Sequence, residues 1–232
     1  MSSLDLGLVA FKIEHEDCWT RLTSDYPITI RTLFAKPFKE KNVILGMDEI
    51  KVSKIDDFKG FMRKFKRHDS IHEIIEIFKL DIRRGIYRVL FKERYNGMLM
   101  SLLNTYTIFY YKDLIKNGYE RLILIMPLEE ANTLKLELKA LGKLFDFRVK
   151  NVNINSFIPT FFDLSKQERY VIMKAVEKGY YNYPREVNLE ELGNTIGLSK
   201  PTLEEYIRKA ENKIMRKIFN EIMQYDLLLE DE

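Results

Sequence analysis

The sequence predicts an α+β N-terminal domain followed by an all-α C-terminal one, and three patterns carry that expectation. Over about the first 155 residues, apolar positions switch between the two-residue period of strands and the longer period of helices. Asn117-Gly118, set between two apolar runs, is the strongest hairpin signal in the chain, because both residues tolerate the positive φ of a tight turn. From Leu164 onward only helical spacing remains, opened twice by an N-terminal capping box.

In chain order, Val9, Phe11 and Ile13 alternate with polar partners, as do Ile28, Ile30 and the residues to Phe34. Residues 43–52 add another extended stretch. Residues 55–67 have helical spacing, with Phe58, Phe61, Met62 and Phe65 on one side. Runs at 74–80 and 86–91 flank Arg84-Gly85 as a hairpin, and runs at 105–115 and 119–126 flank Asn117-Gly118. Pro127 then opens a helix to about Leu141, stopped by Gly142, and 144–152 returns as a strand. The order helix, strand, strand, helix, strand after residue 55 predicts a ferredoxin-like sandwich with two helices on one sheet face. The early strands either extend that sheet or form a small subdomain. Residues 153–162, with Asn155, Ser156 and Pro159, read as a linker between an α+β sensing or interaction domain (1–155) and a helical domain (156–232). No long repeat stands out.

The helical part is the most informative. Ser165-Lys166-Gln167-Glu168 is an S-x-x-E box, followed by Val171, Ile172, Ala175 and Val176 as an apolar stripe and Gly179 as a left-handed stop. Asn188 with Glu191 opens a short helix whose buried side is Leu189, Leu192 and Ile196. Gly197-Leu198-Ser199 makes a turn in which Gly197 tolerates positive φ, Leu198 plugs the core and Ser199 caps the next helix. That helix carries Leu203, Ile207, Ala210, Ile214 and Ile218 on one face. A short helix, a Gly-containing turn and a capped basic helix together form a helix-turn-helix signature.

Charge agrees in its distribution more than in its sum. The net charge is only +3, but residues 165–220 hold 11 Lys or Arg against 8 Asp or Glu, while 221–232 hold none of the former and 5 of the latter. The basic surface is therefore local, with an acidic tail after it. At 46% hydrophobic residues the chain can bury a core. A single cysteine, Cys18, excludes an internal disulfide and suits a reducing cytoplasm. Met1-Ser2-Ser3-Leu4-Asp5 lacks the start of a signal peptide, and the apolar run at 122–126 is far short of a membrane span. The expected location is the cytoplasm.

Projected at about 100° per residue, Pro201, Glu204, Glu205, Arg208 and Asn212 fall opposite the apolar stripe, with Thr202, Lys209 and Arg216 at its margin. The first turns of such a second helix enter the major groove of double-stranded DNA, so Lys200, Thr202, Glu205 and Arg208 are candidates to meet base edges. Lys209, Arg216 and Lys217 lie farther along, toward phosphates or solvent. The competing assignment is an ordinary exposed helix face, in which Glu204 and Glu205 form i, i+4 pairs with Arg208 and Lys209. Regulators commonly read two half-sites, so a homodimer is expected. Ile222, Met223, Leu227, Leu228 and Leu229 would extend the last helix into a dimer contact or pack on the N-terminal domain.

With these residues in view, Leu164-Ser165-Lys166-Gln167-Glu168, the run Glu177-Lys178-Gly179-Tyr180-Tyr181-Asn182-Tyr183-Pro184-Arg185-Glu186-Val187, the turn Thr195-Ile196-Gly197-Leu198-Ser199-Lys200-Pro201-Thr202 and Ile207-Arg208-Lys209-Ala210 closely resemble the helix-turn-helix domain of the bacterio-opsin activator family. These are archaeal transcription regulators, and the E-x-G-Y-[FY]-x-x-P-R run is the distinctive part. The segment is also similar to the fourth region of sigma factors, which carries a similar turn. The N-terminal part is similar in outline to the sensory domains of the family, Glu120-Arg121-Leu122-Ile123-Leu124 being the clearest parallel, without a recognisable PAS or GAF pattern. The resemblance implies a DNA-binding regulator and leaves its signal open, with a small-molecule effector or the transcription machinery as candidate partners. A sigma-like adaptor that docks that machinery without selecting DNA alone is the alternative.

Other constellations carry less. His15, Cys18, His68 and His72 are all the histidines and the cysteine, and His15-x-x-Cys18 is a tolerable ligand spacing. His68 and His72 fall across a helix end and a strand start, and isolated His and Cys are commonly structural, so neither metal nor cofactor is expected. The run at 84–91 looks like an RNA-binding strand, but Ile86 and Arg88 stand where stacking aromatics belong, leaving Tyr87, Val89 and Phe91 as a buried face. No glycine-rich phosphate loop or nucleophile elbow appears, and Asp56-Asp57 and Glu129-Glu130 sit at helix starts. No catalytic residue, and no enzyme, is expected.

Overall fold

The alternating runs of the first half all become strands of one sheet. The computed structural model describes residues 5–15, 17–152 and 164–229, with side chains described as far as Phe219. Two compact units result, one within residues 1–154 and one within 155–223. The linker expected at 153–162 lies outside the described residues, as do the side chains of Ile222, Met223, Leu227, Leu228 and Leu229.

In the first unit, β1 (Leu6–Glu14), β2 (Ile28–Phe38), β3 (Val43–Val52), β4 (Ile71–Asp81), β5 (Ile86–Arg94), β6 (Tyr110–Lys116), β7 (Tyr119–Pro127) and β8 (Lys143–Asn151) pair in the order β4-β5-β3-β2-β6-β7-β1-β8. Every pairing is antiparallel. The early strands therefore join this one sheet and form no subdomain of their own: β2 and β3 lie between β5 and β6, and β1 lies between β7 and β8. Helices α1 (Ile55–Phe65), α2 (Leu99–Leu103) and α3 (Ala131–Leu141) complete the unit.

The strand order splits into two similar halves. In each, a hairpin next to the middle (β2-β3, β6-β7) leads into a helix (α1, α3) and then an outer edge strand (β4, β8). The strand between edge and hairpin is β5 in one half. In the other it is β1, borrowed from the start of the chain. Each half has its own core. Phe58, Phe61 and Phe65 of α1 pack with Trp19, Ile30, Ile50, Tyr87 and Phe91. Leu134 and Leu138 of α3 pack with Val9, Phe11, Leu122, Leu124 and Met126. Burying each such side chain contributes about 1.5–3 kcal/mol, which is what fixes the strand register. The expected buried face of Tyr87, Val89 and Phe91 is present, at 2% exposure or less.

The seam between the halves is short. β2 and β6 pair only at Thr29 with Lys116 and Ile30 with Ile115, after which a register shift between Thr32 and Phe34 bends β2 away. Where the ladder would continue, the Thr32 amide donates instead to Asp113 Oδ1 at 2.8 Å. The parting strands leave room for buried polar side chains near the middle of the sheet.

Some local expectations need correction. Asn117 and Gly118 turn with φ of 54° and 80°, as the hairpin requires. Pro127, however, ends β7, and α3 begins only at Ala131 after a single 3-10 turn. Gly142 follows the end of α3 as expected, with extended backbone, and a side chain there would strike the Glu14 carbonyl. β6 starts at Tyr110, and the preceding apolar run 99–103 coils into α2. Among the described residues no helix is long and apolar enough to cross a membrane.

Candidate nucleic-acid interface

Among the described residues the second unit has three helices: α4 (Lys166–Glu177), α5 (Leu189–Ile196) and α6 (Lys200–Leu229). Both expected capping boxes form. Ser165 Oγ accepts from the Glu168 amide at 3.2 Å while Glu168 Oε2 accepts from the Ser165 amide at 2.7 Å. Asn188 Oδ1 accepts from the Glu190 and Glu191 amides at 2.9 Å, and Glu191 Oε2 accepts from the Asn188 amide at 2.8 Å. These satisfy the orphan donors of each first turn. Val171, Ala175, Leu192, Leu203 and Ile207 are buried together, with Leu189, Ile196, Leu198 and Tyr206 half-buried against them.

The turn between α5 and α6 is set by backbone. Gly197 has φ of 73°, and the Leu198 amide donates to the Gly193 carbonyl at 3.0 Å. A β-carbon on Gly193 would stand 2.8 Å from the Leu198 carbonyl oxygen, so only glycine lets α6 start this close to α5. Ser199 serves the start of α6: its carbonyl accepts from the Leu203 amide at 2.9 Å, and its Oγ lies 2.8 Å from the Thr202 hydroxyl.

Lys200 is exposed at the first position of α6, and Thr202 is half-buried beside Ser199. Glu205, Arg208 and Lys209 are exposed on the first three turns, and Arg216 is exposed two turns farther on. The expected i, i+4 pairs also exist: Glu205 with Lys209 at 2.6 Å, and Glu204 with Arg208 at 4.0 Å. Arg208 keeps 79% of its side chain exposed, so its weak pair leaves the guanidinium available. Two apolar assignments fail. Val176 is 59% exposed and Ile218 is 45% exposed, because the packing of α4 and α6 closes around Val171, Ala175 and Ile207 and ends before it reaches them.

Some supporting residues escape sequence reasoning. Lys213 Nζ lies 2.7 and 2.9 Å from the two oxygens of buried Glu168, joining α6 to the start of α4. That hydrogen bond is the main cause holding the Glu168 carboxyl below its ordinary value. One hint existed: Lys213 falls a heptad after Tyr206, at the edge of the apolar stripe. The run 179–187 has a similar use. Tyr180 packs on the core, Arg185 stacks on its ring at 4.6 Å, and the Tyr181 hydroxyl donates to Glu211 Oε1 of α6 at 2.8 Å. Of the histidine and cysteine set, the fold brings His15 and Cys18 together in the first unit, joined there by Glu120. His68 sits past the end of α1 beside Ser70, and His72 is exposed on β4.

A capped helix, a glycine turn and a second helix whose first turns are polar and bare define the helix-turn-helix class of DNA-binding domain. Residues 164–216 match the family model described as an HTH DNA-binding domain, and this part of the chain is such a domain. Over 61 residues the chain is 36% identical to a protein of Haloferax volcanii named as a transcriptional regulator, covering 26% of this chain and 10% of that one. Over 63 residues it is 33% identical to the dimethyl sulfoxide reductase transcriptional activator of Halobacterium salinarum, covering 27% of this chain and 28% of that one. The chain thus spans about a quarter or less of the length of these relatives. No solved structure matches it significantly.

Proposed function

We propose that the chain is a sequence-specific transcription regulator of the archaeal kind. On this reading Lys200, Thr202, Glu205 and Arg208 read base edges in the major groove, while Lys209 and Arg216 hold phosphates. The observation that carries it is the start of α6, where a turn fixed by Gly193 and Gly197 presents exposed polar side chains on a helix whose opposite face is locked into the core. The domain over 1–155 senses a ligand or partner and biases the helical domain over 156–232, and the chain acts as a homodimer on two half-sites in the cytoplasm. Arg208→Ala and Lys200→Ala should each weaken binding to the preferred duplex by about tenfold or more, the worth of a good base contact, with the fold intact by circular dichroism. Equal loss on preferred and scrambled duplexes would assign those residues to phosphates only. Unchanged binding would remove them from the interface.

A second reading has one observation in its favour. Tyr170, Met173 and Val176 form an exposed apolar strip on α4, at 44%, 64% and 59% exposure. Such a strip suits a sigma-like or adaptor role in which this unit docks transcription machinery. Met173→Glu separates the two readings, since it leaves DNA binding unchanged under the first and abolishes docking under the second.

A further inference from the structure

Three donor atoms of different chemistry meet beside the seam of the sheet. His15 follows β1, Cys18 comes three residues later, and Glu120 faces them from the start of β7. A nitrogen of His15, the Cys18 sulfur and a Glu120 oxygen all lie within 4.8 Å of one another, and all three residues are buried. Backbone sets their positions. The Cys18 amide donates to the His15 carbonyl at 3.3 Å, and the β1–β7 register puts Ile13 opposite Glu120.

Two features separate this group from an ordinary buried polar cluster. His15 is only 4% exposed, yet its Nδ1 has no hydrogen-bond partner among the described residues. Native interiors rarely leave a buried nitrogen in that condition without a use for it. The second feature is a cavity of about 40 Å³ next to the donors, lined by Cys18 and Glu120 together with Thr20, Asp48, Glu93 and Asp113. A space of that size admits a water or two, whereas organic ligands need pockets of about 300 Å³ and more. The carboxylates around it are met by neutral donors: Trp19 Nε1 to Glu93 at 2.7 Å, Thr20 Oγ1 to Glu120 at 3.1 Å and the Thr32 amide to Asp113. Arg31 and Arg94 supply the neighbouring positive charge.

We propose that His15, Cys18 and Glu120 bind one divalent transition-metal ion of the zinc or ferrous class. Imidazole, thiolate and carboxylate together suit such an ion, while magnesium and calcium take oxygen alone. On binding, the Cys18 sulfur gives up its proton to solvent and forms a bond to the metal. Three protein ligands leave a fourth position toward the cavity, where a water fits. Metal bonds of about 2.0–2.3 Å require the donors to draw in by about 1 Å, which small rotations of Cys18 and Glu120 supply. The site deepens the sensing role proposed above by naming its effector as a metal ion, and it rests on that reading only for its purpose. Its occupancy is read without DNA.

The test uses the full chain, stripped by chelator and titrated with Co²⁺ alone. Cys18 is the chain's one cysteine, so a thiolate-to-cobalt charge-transfer band reports this site and no other. The expected result is a band that saturates at one cobalt per chain and disappears on adding Zn²⁺. It is absent in Cys18→Ser, shifted to at least about tenfold weaker affinity in His15→Gln and Glu120→Gln, and unchanged in His72→Ala. The two glutamine variants keep side-chain volume and carry the test if Cys18→Ser fails to fold. No band in the wild-type chain overturns the proposal, as does a band whose affinity neither glutamine substitution changes.

Discussion

Glu168 shows how much one side chain can settle. Its carboxylate closes the capping box with the Ser165 amide and also receives Lys213 from α6, so one residue caps the start of one helix and ties another to it. Ser165→Ala should cost about 1 kcal/mol in urea unfolding, the usual loss for a cap. Because Lys213 holds the Glu168 carboxyl below its ordinary value near 4.5, the folded state binds the proton less tightly than the unfolded chain does. The resulting stabilisation is complete above that ordinary value and drains away as pH falls through the lowered one. Glu168→Gln keeps the cap and should flatten the acid limb of the thermal midpoint. If both proteins lose midpoint equally toward low pH, the ion pair contributes nothing. At this scale the sequence was readable where contacts are local. The two capping boxes lie within three residues, whereas Lys213 and Glu168 are 45 apart and nothing in spacing alone pairs them.

At the scale of elements, the turn before α6 and the seam of the sheet make the sharpest claims. Gly193→Ala must displace the Leu198 carbonyl and should cost roughly 1–3 kcal/mol, with weaker DNA binding because α6 shifts against α5. Gly197→Ala meets no neighbour and carries only the cost of a left-handed residue, about 1–2 kcal/mol. Gly197→Asn should recover part of that loss, since asparagine tolerates this conformation. Chemical unfolding of the three variants beside a duplex-binding assay distinguishes crowding from strain. At the seam, burial pushes the Glu93 carboxyl up to about 8 against the help of Trp19, and burial with Asp113 and Glu93 nearby raises Asp48 well above its ordinary range. A raised carboxyl favours the folded state while protonated, so this unit should lose stability as pH climbs from the ordinary carboxylate range to about 8. Glu93→Gln keeps an acceptor for Trp19 and should reduce that loss, which a series of melting curves between those pH limits would show. Hairpins and amphipathic helices could be read directly from the sequence. α2 could not, because five consecutive residues from Leu99 to Leu103 show no period. Val176 was misplaced because a helical stripe tells which residues share a face and not how wide the contact is.

The whole molecule joins an eight-stranded unit built from two matching halves to a DNA-binding domain. The repeat was hidden in the sequence because β1 supplies the strand that β5 supplies in the other half, so corresponding elements do not follow one another along the chain. The buried acids at the seam were hidden for a related reason: Asp48, Glu93, Asp113 and Glu120 come from four different strands. The DNA-binding domain, by contrast, folds from adjacent segments, and its signals survive in order. Removing Lys209 and Arg216 together should lower the slope of log affinity against log salt by about two on every duplex, without altering which duplex is preferred. A changed preference would move one of them among the base-reading residues. The most direct measurement incubates the full chain with a random duplex library at physiological salt and sequences the retained DNA, beside Arg208→Ala. Enrichment of a defined motif, repeated as two half-sites and relaxed at specific positions by Arg208→Ala, is the predicted result. Retention without a motif, lost as salt rises and equal for both proteins, would contradict sequence reading by α6.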